Sequence, residues 1–252
     1  MKAALIPPKG YYETASRSNY HLVLAQIEDY DYKRVYSSLS SKHFIILDNG
    51  AAEGPPVRDS VLLEKMAFYG ADEIVIPDVM QDARKTLERA ETFFAKHVLP
   101  TEVQTMIVIQ GDDEESVRWC LYAAMEKWPK ATIGLPRHLL ETLDDVYARA
   151  NLIELIGQMY PNTKPQVHLL GTSYLWPAEV QYIADLHDWV RGVDTSMPYC
   201  YTIENKRLDS SSGGVERPPG YFDHPWSINT FLMDRNIRTY LEWASGTEGT
   251  RS

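Results

Sequence analysis

The chain has 252 residues, of which 44% are hydrophobic, and its formal net charge is −10. This length is close to the roughly 250 residues of one (β/α)8 barrel, and no apolar run approaches the roughly 18 residues of a membrane span. The acidic charge counts against a surface built for long-range attraction to nucleic acid. Two cysteines exclude a disulfide framework, and the apolar start is too short for a signal peptide. We therefore expect a cytoplasmic protein without a membrane segment.

Short apolar runs, each ending in a polar residue or a glycine, recur along the chain. A first strand is predicted at 21–26, and six further runs begin at Phe44, Ile74, Met106, Ala131, Val167 and Val190. These six begin about 29 residues apart on average, close to the length of one βαβ unit. Continuous Val, Ile and Leu runs are typical of buried parallel strands. An eighth strand is expected at residues 197–204, although Pro198 counts against one.

Helical patterns fill the segments between the predicted strands. Apolar positions that share one face predict helices around 83–94 and 117–128. A helix is expected to start with an N-cap at Asp59-Ser60 and to end at Gly70. The remaining helices are predicted at 138–159, where two are separated near Asn151, at 178–187 and at 227–244.

This alternation of strands and helices predicts a single α/β domain. A parallel sheet with helices outside it, closed into a (β/α)8 TIM barrel, fits the number and spacing of the runs. We expect the domain to span residues 1–246 and a flexible C-terminal tail to occupy 247–252. The long segment 205–226 is expected to be a functional or disordered loop.

Three aspartates share one position relative to the predicted strands. Asp48, Asp78 and Asp194 each come directly after a buried apolar run. In a barrel the carboxyl ends of the strands meet at one mouth, where catalytic groups lie. Carboxylates there serve as acid, base or nucleophile, and glycoside chemistry uses a pair of them. The structural alternative is that each aspartate caps the helix that follows.

Other corner residues are suited to contact with a flat polar ligand. The amide of Gln110 has donors and an acceptor that match the edge of a base or a sugar. Gly134 and Gly171 allow a backbone to approach a ligand closely, although a surface amide and tight turns are the plain alternatives. His168 lies within an apolar run and is expected to be a core histidine. No HExxH motif or Cys/His cluster is present, so no metal is predicted.

The ordered corner motifs resemble those of the tRNA-guanine transglycosylases. The segment 47–51 is similar to their Asp-Ser-Gly-Gly, 76–78 to an aspartate corner that holds the purine, and 193–194 to the position of their nucleophilic aspartate. Three further segments resemble their Val-Gln-Gly, Gly-Gly-Leu and Leu-Met-Gly motifs: 109–111, 133–135 and 169–171. The order agrees over residues 44–196, and the resemblance implies the barrel fold of that family.

The chain departs from the tRNA enzymes in several respects. These departures make it look more like the compact phage-encoded relatives of the family, which insert 7-deazaguanine bases into DNA. The tRNA enzymes carry a zinc site of three cysteines and a histidine after the nucleophile, whereas only Cys200 lies in that region here. Asn49 and Ala51 replace a serine and a glycine of the first motif. The chain is also much shorter, so we expect a barrel without the zinc-binding subdomain.

The resemblance implies a base-exchange transglycosylase that works through a covalent glycosyl-aspartate. Asp194 is then the nucleophile, Asp48 the general acid/base, and Asp78 the acceptor for the amino and ring N–H groups of the base. Gln110 and the Gly134 backbone are expected to contact the carbonyl edge. The other implied pocket residues are Leu135 at the floor, Gly171 and Asn49. The partners are guanine-containing DNA and a free 7-deazaguanine base, with tRNA as the alternative substrate, and no cofactor is implied.

Basic residues in two regions are candidates for contacts with phosphate. Arg84 and Lys85 share a predicted helix, and Lys206 and Arg207 lie in the late loop. The alternative for each is an ordinary solvated surface charge.

Two other classes of function remain open from the sequence. One is a small-molecule hydrolase or lyase that uses Asp48 and Asp194 as an acid/base pair, which the acidic net charge favours. The other is a degenerate barrel that binds a base or a nucleic acid without catalysis.

Overall fold

Eight parallel strands form the centre of the molecule. The computed structural model describes residues 1–39, 42–54, 56–209, 211 and 213–246, so the predicted tail at 247–252 lies outside the described residues. The strands are β1 (Lys2–Leu5), β2 (Tyr20–Leu24), β3 (Phe44–Asp48), β4 (Glu73–Val75), β5 (Gln104–Val108), β6 (Thr132–Pro136), β7 (Val167–Leu170) and β8 (Gly192–Thr195). Most of their residues are buried, as continuous apolar runs predict.

The strands pair in the order β1-β8-β7-β6-β5-β4-β3-β2, and each pairing is parallel. Strands β1 and β2, at the two ends of this order, lie against each other. The sheet is therefore a nearly closed barrel with helices between successive strands. The single-domain (β/α)8 fold predicted from the sequence is confirmed.

The α-helices of the described residues follow the strands along the chain. They are α1 (Tyr30–Leu39), α2 (Asp59–Tyr69), α3 (Ala83–Lys96), α4 (Glu114–Lys127), α5 (Leu139–Thr142), α6 (Ala148–Met159), α7 (Glu179–Leu186), α8 (Met197–Ile203) and α9 (Thr230–Ser245). Local capping residues fix the ends of several helices. Asp82 and Asp113 accept hydrogen bonds from the first turns of α3 and α4, and Gly70 ends α2 in a left-handed conformation.

The eighth strand predicted at 197–204 is wrong. Those residues form α8, where Pro198 lies in the first turn and is tolerated because the N–H that it lacks has no intrahelical acceptor there. The missing strand is instead β1 at the start of the chain, whose Leu5 pairs with Thr195 of β8. The run is short and two prolines follow it closely, so the sequence pattern alone does not predict this strand. Its pairing with β8, at the far end of the sequence, is what closes the barrel.

Two helix boundaries also differ from prediction. The break within 138–159 lies between α5 and α6, and Asn151 is inside α6. Asp59 is the first residue of α2 and not its N-cap, which is Arg58. The Asp59 carboxylate instead binds Arg89 and His97 from α3 and the residue that follows it. A tertiary ion pair has thus taken the place of the predicted cap.

The amino-terminal end of the barrel interior is polar. Glu73 of β4 is fully buried and binds the guanidinium of Arg191. The Thr132 hydroxyl donates to the same carboxylate, and Arg191 also donates to Gln166 Oε1 at 2.8 Å. The buried charge is therefore paired and hydrogen-bonded, as a charge in an apolar interior must be.

We predict opposite effects for two glycine-to-alanine substitutions. At Gly192 in β8, an added Cβ would lie 2.6 Å from the Tyr20 ring and 2.9 Å from the Lys2 carbonyl oxygen. Gly192→Ala should therefore lower the free energy of unfolding by about 1–3 kcal/mol. At Gly157 in α6 the nearest atom, on Trp189, would be 3.6 Å away, so Gly157→Ala should raise it by about 0.5–1 kcal/mol.

Urea denaturation of both variants against the unchanged protein checks this pair. A Gly192→Ala protein that is as stable as Gly157→Ala would contradict the packing of β8 against Tyr20.

Candidate functional site

A cavity of about 450 Å³ opens at the carboxyl ends of the barrel strands. Every strand contributes to its wall through its last residues or the loop that follows. The wall includes Ile6, Leu24, Asp48, Asp78, Gln110, Pro136, Leu170 and Asp194. The structure thus brings the three predicted aspartates to one cavity, at the barrel end where TIM-barrel enzymes bind their substrates.

Two side-chain amides hold Asp78. Its Oδ1 accepts from Asn49 Nδ2 at 2.8 Å, and its Oδ2 accepts from Gln110 Nε2 at 2.6 Å. Asn49 is fixed in turn, because the same amide donates to the Ile76 carbonyl. Burial raises the pKa of the Asp78 carboxyl, and the two amide donors oppose that shift. Each carboxylate oxygen has a second acceptor site, so Asp78 can still accept from a ligand.

The amide of Gln110 is occupied within the protein. Its Oε1 accepts from the Gln81 backbone and from His138 Nε2, both at 2.9 Å. Burial lowers the pKa of His138 to about 4, with a further contribution from Arg137, so the ring is neutral at pH 7 and donates through Nε2. The Gln110 amide nitrogen contacts Asp78 and the sulfur of Met80. Gln110 therefore positions Asp78, and the predicted contact with a base carbonyl would have to replace the weak contact of the amide nitrogen with the Met80 sulfur at 3.7 Å.

Asp48 lies near three other acidic side chains. The Gly50 N–H donates to its Oδ2 at 3.1 Å. Burial raises the pKa of the Asp48 carboxyl well above its ordinary value, and Glu53, Asp194 and Asp78 add to the shift through their charges. The side chain nevertheless keeps part of its surface open to the cavity. A carboxyl that holds its proton unusually well and faces a cavity is suited to acid/base chemistry.

Asp194 is oriented through one of its two oxygens. Oδ1 accepts from the Gly171 N–H at 2.9 Å and lies 3.3 Å from His168 Nε2. Within the described ranges, no donor contacts Oδ2, and the side chain is 10% exposed. The second oxygen is therefore the one available to a ligand. His168 is buried, as predicted for a core histidine, but its contact with Asp194 was not anticipated.

A buried ion pair holds the turn that orients Asp194. Arg149 of α6 and Glu179 of α7 are both fully buried and bind each other. Arg149 Nη1 donates to the carbonyls of Gly171 at 2.8 Å and Leu135 at 3.2 Å. Gly171 has a φ of +74°, a conformation that favours glycine. Two helices outside the barrel thus fix the backbone N–H that contacts Asp194.

Two predicted pocket residues do not line the cavity. Gly134 and Leu135 lie within β6 and are fully covered. Gly134 is closely packed, because an added Cβ would lie 2.9 Å from Leu170 Cδ1 and 3.0 Å from Met106 Sδ. The residues of this corner that do face the cavity are Pro136, Arg137 and His138. Strand β6 continues to Pro136, beyond both residues. The positions that can contact a ligand are therefore Pro136 and the two residues after it, and not Gly134 and Leu135.

The four predicted phosphate contacts lie away from the cavity. Arg84 packs over the Trp119 ring with its Cζ 5.9 Å from the centroid, and Lys85 pairs with Asp82. Neither these two residues nor Lys206 and Arg207 line the cavity.

Other charged residues surround the cavity and were missed. Arg137 lies over the Tyr174 ring, with its Cζ 5.1 Å from the centroid. Arg217, from the late loop, binds Glu53 from the loop after β3 at 2.9 Å, and all four residues line the cavity. The late loop thus contributes to the cavity wall. Arg137 had a sequence signal, since it follows the Gly-Leu-Pro corner directly.

Metal and membrane features are absent from the described part of the chain. No group of three or more His, Cys, Asp or Glu residues there is arranged to hold a metal ion. No helix in the same ranges combines the length and apolar character that a bilayer crossing requires.

Comparison of the sequence with protein-family models gives no match, and neither does comparison with curated proteins. The family resemblance therefore depends on the corner motifs alone.

We predict that the Arg149–Glu179 pair is a main support of this end of the barrel. Glu179→Ala leaves the Arg149 charge buried and unpaired, which should cost about 3–5 kcal/mol of unfolding free energy. Glu114→Ala removes the carboxylate of an exposed pair with Arg118 on α4 and should cost less than about 1 kcal/mol. Thermal and urea unfolding measure both. A Glu179→Ala protein no less stable than Glu114→Ala would contradict the role assigned to the buried pair.

Proposed function

We propose that the protein exchanges a purine base on a nucleic acid, replacing guanine in DNA with a 7-deazaguanine through a covalent glycosyl-aspartate. The observation that carries the proposal is the meeting of Asp48, Asp78 and Asp194 in one cavity, each in a different environment. The cavity volume of about 450 Å³ falls in the range of small-ligand sites.

The environment of Asp78 suits recognition of a guanine-type base. Such a base carries two adjacent donors, the ring N1–H and the exocyclic amino group, which match two carboxylate oxygens. Asn49 and Gln110 fix both oxygens in place, so little ordering is required when the base binds. Bonds to a buried carboxylate are strong, and a base that lacks one donor leaves an acceptor unpaired at a cost of about 1–3 kcal/mol.

The environments of Asp194 and Asp48 suit the two halves of the exchange. Asp194 Oδ2 forms a bond to C1′ of the sugar as the C1′–N9 bond breaks, and the electron pair leaves with guanine, which receives a proton from Asp48. The incoming base then gives its N9 proton to Asp48, its N9 forms a bond to C1′, and the C1′–Oδ2 bond breaks. Two inversions give net retention, as in retaining glycosidases.

A free nucleoside is the second candidate substrate, and the charge around the cavity favours it. Carboxylates outnumber cations in the wall, and Arg217 is already paired with Glu53. Arg137 is the cation of the wall that has no carboxylate partner among the described residues. A DNA substrate would also have to present its base outside the stack, at a cost of a few kcal/mol. A nucleoside hydrolase would use the same aspartates with water in place of the incoming base.

We predict that incubation with guanine-containing DNA and a labelled 7-deazaguanine base puts label into the DNA. Asp194→Ala should abolish incorporation, because no other group replaces the attacking carboxylate. Asp144→Asn is a control for loss of an aspartate charge outside the cavity, since Asp144 is exposed and has a φ of +47°, which asparagine tolerates. Scintillation counting of purified DNA gives the result.

Three results, from this assay and from parallel incubations with free deoxyguanosine or guanine, would each count against the proposal. Full incorporation by Asp194→Ala refutes the nucleophile assignment. Release of guanine from free deoxyguanosine, without incorporation into DNA, selects the hydrolase. Binding of guanine without either reaction over long incubation selects a barrel that only binds.

We predict that Glu53 sets the pH range of Asp48. Asp48 must be protonated to donate a proton to the leaving guanine, so kcat/KM for DNA should fall as pH rises through the raised Asp48 pKa. Glu53→Gln removes a negative charge that favours protonated Asp48, so this fall should move to lower pH. The amide can keep the contact with Arg217. Glu88→Gln, exposed on α3, is the control, and a shift to higher pH in Glu53→Gln would contradict the assignment.

A further inference from the structure

A chain of polar side chains crosses the barrel interior and ends at Asp194. His168 Nε2 lies 3.3 Å from Asp194 Oδ1, and His168 Nδ1 lies 2.8 Å from the Tyr20 hydroxyl. Arg191 Nε donates to that hydroxyl at 3.0 Å and pairs with Glu73 at the other end of the barrel. TIM-barrel interiors are filled mostly by branched apolar side chains, so a continuous polar chain here needs an explanation beyond packing.

The directions of these hydrogen bonds fix the state of His168. Arg191 can only donate, so the Tyr20 oxygen accepts from it. The Tyr20 proton is then available to His168 Nδ1, which must be unprotonated to accept it. The imidazole proton therefore lies on Nε2 and is donated to Asp194 Oδ1. Burial also lowers the pKa of His168, against the opposing effect of Asp194, so the ring is neutral.

His168 has no direct access to a ligand. It is fully buried and does not line the cavity. Tyr20 is 1% exposed and lies one step further inside. Any effect of these two residues on chemistry must pass through Asp194.

We propose that His168 and Tyr20 are positioning residues that hold Asp194 Oδ1 and thereby reserve Oδ2 as the attacking atom. This inference rests on the proposed function, in which Asp194 is the nucleophile. The Gly171 N–H and the His168 Nε2–H bind the same oxygen, so rotation of the carboxylate would break two bonds at once. Tyr20 keeps His168 in the tautomer that donates.

The arrangement also serves the second half of the exchange. When Oδ2 bonds to C1′, Oδ1 becomes the carbonyl oxygen of an ester and keeps both donors. When the C1′–Oδ2 bond breaks, the negative charge returns to the carboxylate, and the same donors stabilise it. Loss of a donor should thus reduce kcat more than it changes KM.

Paired variants test the donor itself. The side-chain nitrogen of glutamine can occupy the place of His168 Nε2, whereas asparagine is too short to reach Asp194. His168→Asn should lower kcat about 10- to 100-fold, the loss that removal of an orienting partner produces, with KM changed less than about 3-fold. His168→Gln should recover most of that loss. Equal losses in the two variants would overturn the proposal.

A second pair removes only a hydroxyl. Tyr20→Phe keeps the ring that stacks on Phe44 and should lower kcat about 10-fold, the size of effect that loss of one hydrogen bond produces. Tyr36→Phe is the control, because the Tyr36 hydroxyl is buried and has no partner among the described residues. Indistinguishable kcat values for the two variants would contradict the role of Tyr20.

Nuclear magnetic resonance gives a readout that does not depend on base exchange. Long-range ¹⁵N–¹H spectra of the histidine-labelled full chain, with His168 assigned from the His168→Gln spectrum, should show a neutral ring with its proton on Nε2. Tyr20→Phe should weaken that preference, and Tyr36→Phe should not. A proton on Nδ1 in the unchanged protein would overturn the inference. If this spectrum is as expected but no base exchange occurs, the proposed function fails and the orientation of Asp194 stands.

Discussion

Closure of a parallel barrel is the constraint on which the site depends. Strands that all run in one direction around a ring must end at the same rim, so corner residues far apart in sequence face one cavity. Asp48 and Asp194 meet only because β1 pairs with β8 and lies against β2. The arrangement of the site therefore depends on this closure of the barrel. The buried Arg149–Glu179 pair, next to the same rim, supports the turn beside Asp194.

Burial makes three identical side chains chemically different. Asp78 is fixed by two amides and can accept from a ligand, Asp194 is fixed through a single oxygen, and Asp48 lies among other negative charges. A low-dielectric interior strengthens each of these differences, because an unpaired polar group there is costly. Recognition, attack and proton transfer can thus be divided among three aspartates by their hydrogen-bond partners.

The sequence predicted those parts of the structure that local pattern determines. Buried runs and their spacing were sufficient for seven strands and for the cavity position of the three aspartates. The run 2–5 was missed because a four-residue strand has little periodicity, and its partner lies almost the whole chain away. His168, Arg149 and Glu179 could not be assigned to the site, since their contacts depend on how helices and strands pack. The resemblance placed Gly134 and Leu135 in the pocket. Because β6 continues to Pro136, Arg137 is instead among the residues that line the cavity.

A crystal structure of the protein with bound guanine tests the central claim most directly. The account predicts the N1–H and amino group of guanine on the two oxygens of Asp78, and N9 directed toward Asp194 Oδ2 with room for a sugar between them. Guanine bound outside this cavity, or bound in it with N9 directed away from Asp194, would contradict the account.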